Sequence, residues 1–145
     1  MYLAVIAVAL LAACVICQSA GMVLLVHWLV RLRRVLESPS VYRRVGLLLR
    51  LFMWLVVLHL FQVGLWAVVF WSVHALPNFE TALYFSLASY TTLGFGDVVL
   101  GPGWRILAGL EGLTGLLLLG WSTAFMFAVV NRIYEHWRQA QDASR

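Results

Sequence analysis

The sequence predicts an all-α membrane protein, with three transmembrane helices and, before the last of them, a short re-entrant helix that ends in a glycine-bearing loop. Three observations carry this reading. Of the 145 residues, 63% are hydrophobic and only 11% are charged, too apolar a mixture for a soluble core and a wettable surface. Three apolar runs, about 3–30, 47–71 and 104–130, each reach the roughly 20 residues that a helix needs to cross a bilayer. A fourth apolar segment, 79–90, is too short to cross and too apolar to lie in water. The length allows one domain.

Charge sets the expected topology. The net charge is +4 and all ten cations are arginine. Arg31, Arg33, Arg34, Arg43, Arg44 and Arg50 lie between the first two spans, and Arg132, Arg138 and Arg145 follow the third. Only Arg105 lies near the stretch between spans two and three. Basic flanks stay in the cytoplasm, so the connection 31–46 and the tail 132–145 are expected inside a plasma or inner membrane. The N-terminus and residues 72–103 are then outside. The connection "RLRRVLESPSVYRRV", broken at Pro39, reads as an anchor for anionic headgroups rather than as a nucleic-acid surface.

The first span, 1–30, carries Cys14 and Cys17. Their CxxC spacing lacks a histidine partner, a second pair or a strand–helix context, so they read as small buried hydrophobes. "LAAC" at 11–14 resembles a lipoprotein cleavage site, but no cation precedes it and the apolar run continues through the cysteine. Gln18, Ser19 and His27 add polarity that helix packing can satisfy. In the second span, 47–71, Arg50 can snorkel to one interface and Trp71 belongs to the aromatic belt of the other. His59 and Gln62, three residues apart on one face, read as interhelical hydrogen-bonding groups, with a proton relay as the alternative.

Pro77 and Asn78 start the short helix, Asn78 as N-cap and Glu80 in the dipole-favoured first turn. At about 1.5 Å per residue, 79–90 reaches roughly 18 Å, half-way into a membrane. The chain then returns outward through "YTTLGFGDVVL". Irregular backbone at that depth is tolerated only where protein buries it or where it lines a watery path. Gly94 and Gly96 allow angles that turn successive carbonyls to one side. Several copies around an axis would stack rings of oxygen able to replace a cation's hydration shell, and the negative end of each short helix would favour a cation there.

"TTLGFGD", 91–97, strongly resembles the selectivity-filter signature of potassium channels. The likeness extends over 47–131, with outer helix 47–71, pore helix 79–90, filter 91–97 and inner helix 104–131. "ALYFSLASYTTLGFGD" followed by "RILAGLEGLTG" looks especially like small bacterial members of that superfamily, here with an extra N-terminal helix. A nucleotide-binding loop fits poorly, since the third glycine, the strand-to-helix context and the P-loop lysine are missing. The resemblance implies a potassium-selective, passively conducting homotetramer with K+ as permeant ion, no other cofactor and no catalysis. It implies coordination of K+ by the carbonyls of Thr92, Leu93, Gly94 and Phe95, with the Thr92 hydroxyl as innermost ring and Gly96 and Asp97 at the outer mouth. The Asp97 side chain would tie the filter to its surroundings or attract cations.

Two departures from the common pattern are visible. Phe95 stands where tyrosine is commonest, which removes a hydroxyl bond to the pore helix. Ala88 stands where some relatives carry a bracing carboxylate. Thr91 and Glu111 are therefore candidate filter supports, Glu111 through a hydroxyl of Ser86, Ser89 or Tyr90. A purely structural interhelical bond is the other reading of Glu111.

On the third span Gly115, Leu119, Ser122, Thr123 and Phe127 fall at helical spacing along one broad face, and the resemblance implies that this face lines a water-filled cavity, with Phe127 and Asn131 at a cytoplasmic gate. Gly115 resembles a hinge, with close packing as the alternative reading for it and for Gly109, Gly112 and Gly120. The first span lacks arginines at three-residue spacing, so no voltage sensor of that kind is expected. Fourteen residues after Asn131 are too few for a ligand-binding domain. Tyr134 and Trp137 read as interfacial anchors, and His74 and His136 as solvated groups able in principle to sense pH. The alternatives within this reading are a weakly selective cation channel and a non-conducting subunit that uses the pore fold as scaffold.

Overall fold

The computed structural model describes residues 2–31 and 40–142, with side chains as far as Glu135 and at Arg138. Arg33, Arg34, the break at Pro39, Arg145 and the side chains of His136 and Trp137 lie outside the described residues. Four helices follow in order: α1 (Tyr2–Arg31), α2 (Val41–Ser72), α3 (Phe79–Tyr90) and α4 (Arg105–Asp142). No strand occurs among the described residues. α1, α2 and the 105–135 part of α4 are each long and apolar enough to cross a membrane. Lipid offers the backbone no partners, so a long apolar segment must satisfy its own N–H and C=O groups as helix.

Two helix limits differ from the sequence reading. α2 begins at Val41 rather than near 47, taking Arg43 and Arg44 into its first turns, with Ser40 at the N-cap in an extended conformation. Nothing in "VYRRVG" breaks a helix, and the basic residues belong to the helix end instead of a loop. α4 runs on to Asp142 rather than stopping at 131, because "RIYEHWRQAQD" consists largely of residues that favour helix. The segment expected as a tail is therefore mostly an extension of the inner helix.

Between α2 and α3 the chain turns sharply. The amides of His74 and Ala75 reach back to the carbonyls of Trp71 and Phe70, 3.0 Å each, and His74 has φ +54°. This pairing satisfies the last orphan carbonyls of α2, with His74 in the left-handed position that usually falls to glycine. Asn78 Oδ1 then accepts from the Thr81 amide at 2.8 Å and caps α3.

α1 lies antiparallel to α2, and α4 runs alongside them in the direction of α1. One apolar cluster joins Ala7, Leu10 and Cys14 of α1 to Val63, Trp66 and Phe70 of α2, Phe85 of α3, and Leu107 and Leu118 of α4. Phe70 and Phe85 meet edge to face at 5.4 Å. The other joins Met22, Leu25 and Leu29 to Leu47, Leu51 and Leu55, with Phe125 and Met126 packed against it. A Cβ on Gly21 would press into the Leu58 side chain, so α1 and α2 touch closely there. Cys14 and Cys17 are free thiols, the first buried and the second half-buried. α3 hangs between α2 and α4 and delivers its C-terminus into the bundle at Tyr90, which is 1% exposed.

Candidate functional site

The segment after α3 is not extended in the ordinary way. Thr92, Gly94 and Gly96 have φ of +60°, +54° and +81°, while Leu93 and Phe95 between them stay negative. Alternation of left- and right-handed residues sends successive N–H groups to one side and the carbonyls to the other. Glycine adopts this freely. Thr92 does not, since a left-handed β-branched residue is a true outlier that costs about 1–2 kcal/mol. Strain of that kind is maintained only where the surroundings impose it.

The surroundings are the carbonyl end of α3. The Thr91 amide donates to Leu87 O at 3.2 Å, Thr92 to Ser89 O at 2.9 Å and Gly94 to Ala88 O at 3.1 Å. The Thr91 hydroxyl adds a bond to Leu87 O at 2.6 Å. The last turn of α3 thus holds the start of the segment by its amides, which leaves the segment's carbonyls for the opposite side.

At the outer end, Tyr84 Oη donates to Asp97 Oδ2 at 2.7 Å, and the Tyr84 ring stacks on Phe95 at 6.4 Å with 10° between planes. The bond holds the Asp97 carboxyl below its ordinary range and pushes the Tyr84 hydroxyl above its own. Asp97 is thereby bonded to α3. The Tyr84 ring also gives Phe95, which lacks a hydroxyl, a flat surface to rest on. Leu93 and Phe95 remain 63% and 67% exposed on the single chain.

Behind the segment, α4 approaches α3 closely. A Cβ on Gly115 would collide with the carbonyl and ring of Tyr90, and one on Gly112 would come within 3.2 Å of Ser89 O. Ser89 Oγ donates to Ala108 O at 3.1 Å. Glu111 is fully buried beside Ser86 and Ser89. Neither its carboxyl oxygens nor Ser86 Oγ has a hydrogen-bond partner of good geometry among the described residues. An open cleft of about 530 Å³ separates the segment from Gly109, Gly112, Leu113 and Leu116 of α4.

The face expected on α4 divides. Thr123, Phe127 and Asn131 are exposed, and the Thr123 hydroxyl bonds to Leu119 O at 2.9 Å. Leu119 is half-buried against the apolar cluster around Trp66 and Phe70. Gly115 is a packing contact inside an uninterrupted helix. Ser122 requires a correction, since it is 5% exposed and faces α1 and α2 instead of a cavity. One residue along a helix is a turn of about 100°, enough to carry Ser122 off the face of Thr123.

What Ser122 meets is a set of residues that the sequence presented only separately. Gln18 Nε2 donates to Ser122 Oγ at 2.8 Å, and His59 Nε2 lies 2.8 Å from the same oxygen. His59 Nδ1 is 2.9 Å from Tyr90 Oη, which donates to Gln62 Oε1, and Gln62 Nε2 donates to Gln18 Oε1 at 2.9 Å. His59 and Gln62 do serve as interhelical hydrogen-bonding groups. The available signal was the rarity of uncharged polar side chains at the middle of three apolar spans.

Helix pair, short half-way helix and unwound loop together define a membrane pore module. A family model described as ion channel matches residues 48–132, well over half of the chain. The chain belongs to this ion channel family, with a potassium-channel-like pore domain preceded by one further membrane helix. No curated protein and no solved structure shows a match to it.

Proposed function

We propose that four copies of this chain assemble around the 92–96 segment and conduct potassium selectively and passively. The carbonyls of Thr92, Leu93, Gly94 and Phe95 replace the ion's water, the Thr92 hydroxyl forms the innermost ring, and Gly96 with Asp97 frames the mouth. The observation that carries this reading is the alternating sign of φ across Thr92–Gly96, strained threonine included. Potassium needs no resident cofactor beside it. Exposure of Leu93 and Phe95 on one chain supports closure of the ring by further copies.

The proposed orientation puts the N-terminus and the filter mouth outside and the C-terminus in the cytoplasm of the cell membrane. Arg31, Arg43, Arg44 and Arg132 support it, since they fall at the same end of α1, α2 and α4. Anionic headgroups are the expected partners of that end.

Reversal potentials of purified protein in planar bilayers test the reading. The expected result follows the potassium gradient in mixed potassium and sodium, with the current abolished by Gly94→Asp. Equal permeability would leave a weakly selective cation channel. Assembled protein that passes no current would leave a scaffold.

A further inference from the structure

The five hydrogen bonds around His59 close a ring. Gln18 Nε2 donates to Ser122 Oγ, and Tyr90 Oη donates to Gln62 Oε1, whose amide donates to Gln18 Oε1. With the amides in this orientation only one assignment completes the circuit. Ser122 donates to His59 Nε2, and His59 Nδ1–H donates to Tyr90 Oη. Every member then gives one bond and accepts one within the ring, each glutamine amide keeping a second N–H outside it. Gln18, Gln62, Ser122 and Tyr90 are all buried, at 0%, 0%, 5% and 1% exposure.

The ring takes one or two residues from each of the four helices. Its two arms meet at the hydroxyl of Tyr90, the last residue of α3, and the strained segment begins two residues later. Tyr90 is held on its other side by Gly115 against its carbonyl. A shift of Tyr90 moves the last turn of α3, whose Leu87, Ala88 and Ser89 carbonyls hold the amides of Thr91, Gly94 and Thr92. Gln18 belongs to α1, outside the matched span 48–132, so the family by itself gives that helix no part in conduction.

We infer that α1 is a working part of the pore, and that Gln18 is a positioning residue which, through Ser122–His59 and through Gln62, fixes Tyr90 and thereby the carbonyl geometry that discriminates between cations. The inference rests on the proposed selective conduction. Loss of the Gln18 amide leaves Ser122 Oγ without that donor and the Gln62 amide without that acceptor, both in buried positions where an unmet polar group is costly.

The test measures potassium-to-sodium permeability ratios of the full-length chain in bilayers, with assembly followed in parallel. Gln18→Met is expected to assemble and to lower the ratio about tenfold, the factor that two lost interhelical hydrogen bonds correspond to. Gln18→Glu, whose neutral acid offers one donor and one acceptor, is expected to restore the wild-type ratio. Tyr90→Phe should lower the ratio by a similar factor, and the Gln18→Met/Tyr90→Phe double variant should be no worse than either alone. If Gln18→Met fails to assemble, Ser122→Ala removes one oxygen from the same ring and is read against the same expectation. A selective wild type with an unaltered ratio in Gln18→Met, or effects that simply add in the double variant, overturns the inference alone. A wild type that does not discriminate overturns the selective reading together with it.

Discussion

Thr92 and Gly94 show how a single torsion angle shapes the unwound segment. Both are left-handed, yet only glycine adopts that region without penalty. Gly94→Ala therefore costs about 1–2 kcal/mol at the segment itself even though no atom lies within 4 Å of the new Cβ. If the proposed selective conduction holds, the expected outcome is loss of potassium selectivity with helical content unchanged, checked by reversal potential and circular dichroism. Tyr84 and Asp97 act at the same scale through one exposed hydrogen bond. The carboxyl is held below its ordinary value of 3.8 by the Tyr84 hydroxyl, and that hydroxyl is raised above 10.0 by the carboxyl. The bond's contribution is therefore in place above the ordinary carboxylate value and is lost as pH falls through the lower folded one. At the alkaline end it is in place below 10.0 and is lost as pH rises through the raised tyrosine value. Tyr84→Phe should return Asp97 toward 3.8, so that, if Asp97 frames the mouth as proposed, conductance begins to fall at a higher pH on the mouth side than in the wild type. Superimposable pH–conductance curves would refute it.

Helix α4 shows why glycines in a membrane helix are not equivalent. Gly115 lies against the Tyr90 carbonyl, whereas a Cβ added at Gly120 would have nothing within 4 Å. Gly115→Ala forces two backbones apart at a packed site, an overpacking of about 1–3 kcal/mol or more. Gly120→Ala gains helix propensity of up to about 1 kcal/mol. Heating in detergent should unfold the first variant well below the wild type and the second at the same temperature or above it. The two sides of α4 can be told apart chemically as well. In a Cys14/Cys17-free background, Phe127→Cys should react readily with a thiol reagent, since Phe127 is 66% exposed, while Ser122→Cys at 5% should not. Equal labelling would mean that α4 is rotated relative to this packing. α3 remains short because Asn78 caps one end and the other passes straight into left-handed backbone.

Across the whole molecule, two apolar clusters lie above and below one polar layer. Gln18 falls between Cys14 and Met22, His59 and Gln62 between Leu55 and Val63, and Ser122 between Leu118 and Phe125. In lipid the apolar clusters give little hydrophobic preference for one register over another beyond close contacts such as Gly115 on Tyr90, because lipid tails are as apolar as leucine. A buried polar layer does give one, at about 0.6 kcal/mol per interhelical bond on average. Gln62→Leu, which breaks two ring bonds, is thus expected to destabilise the bundle by about 1–2 kcal/mol, read from thermal melting in detergent micelles. Much of this was legible in one dimension. Three apolar runs demand helices because lipid leaves the backbone no other partner, and the arginine asymmetry gives them an expected direction. "TTLGFGD" and the helix limits 79–90 could be read from local chemistry, since capping and glycine act over a few residues. The side of α4 that faces inward could not be read, because Ser122 and Thr123 are equally polar and neighbours in sequence. Only contact with Gln18 and His59, more than sixty residues away in each case, separates them. The sequence by itself therefore determined which segments cross the membrane and where the chain unwinds. The tertiary structure alone decided how Gln18, His59, Gln62, Tyr90 and Ser122 close on one another, because hydrogen bonds across helices depend on rotation and register that no local pattern encodes.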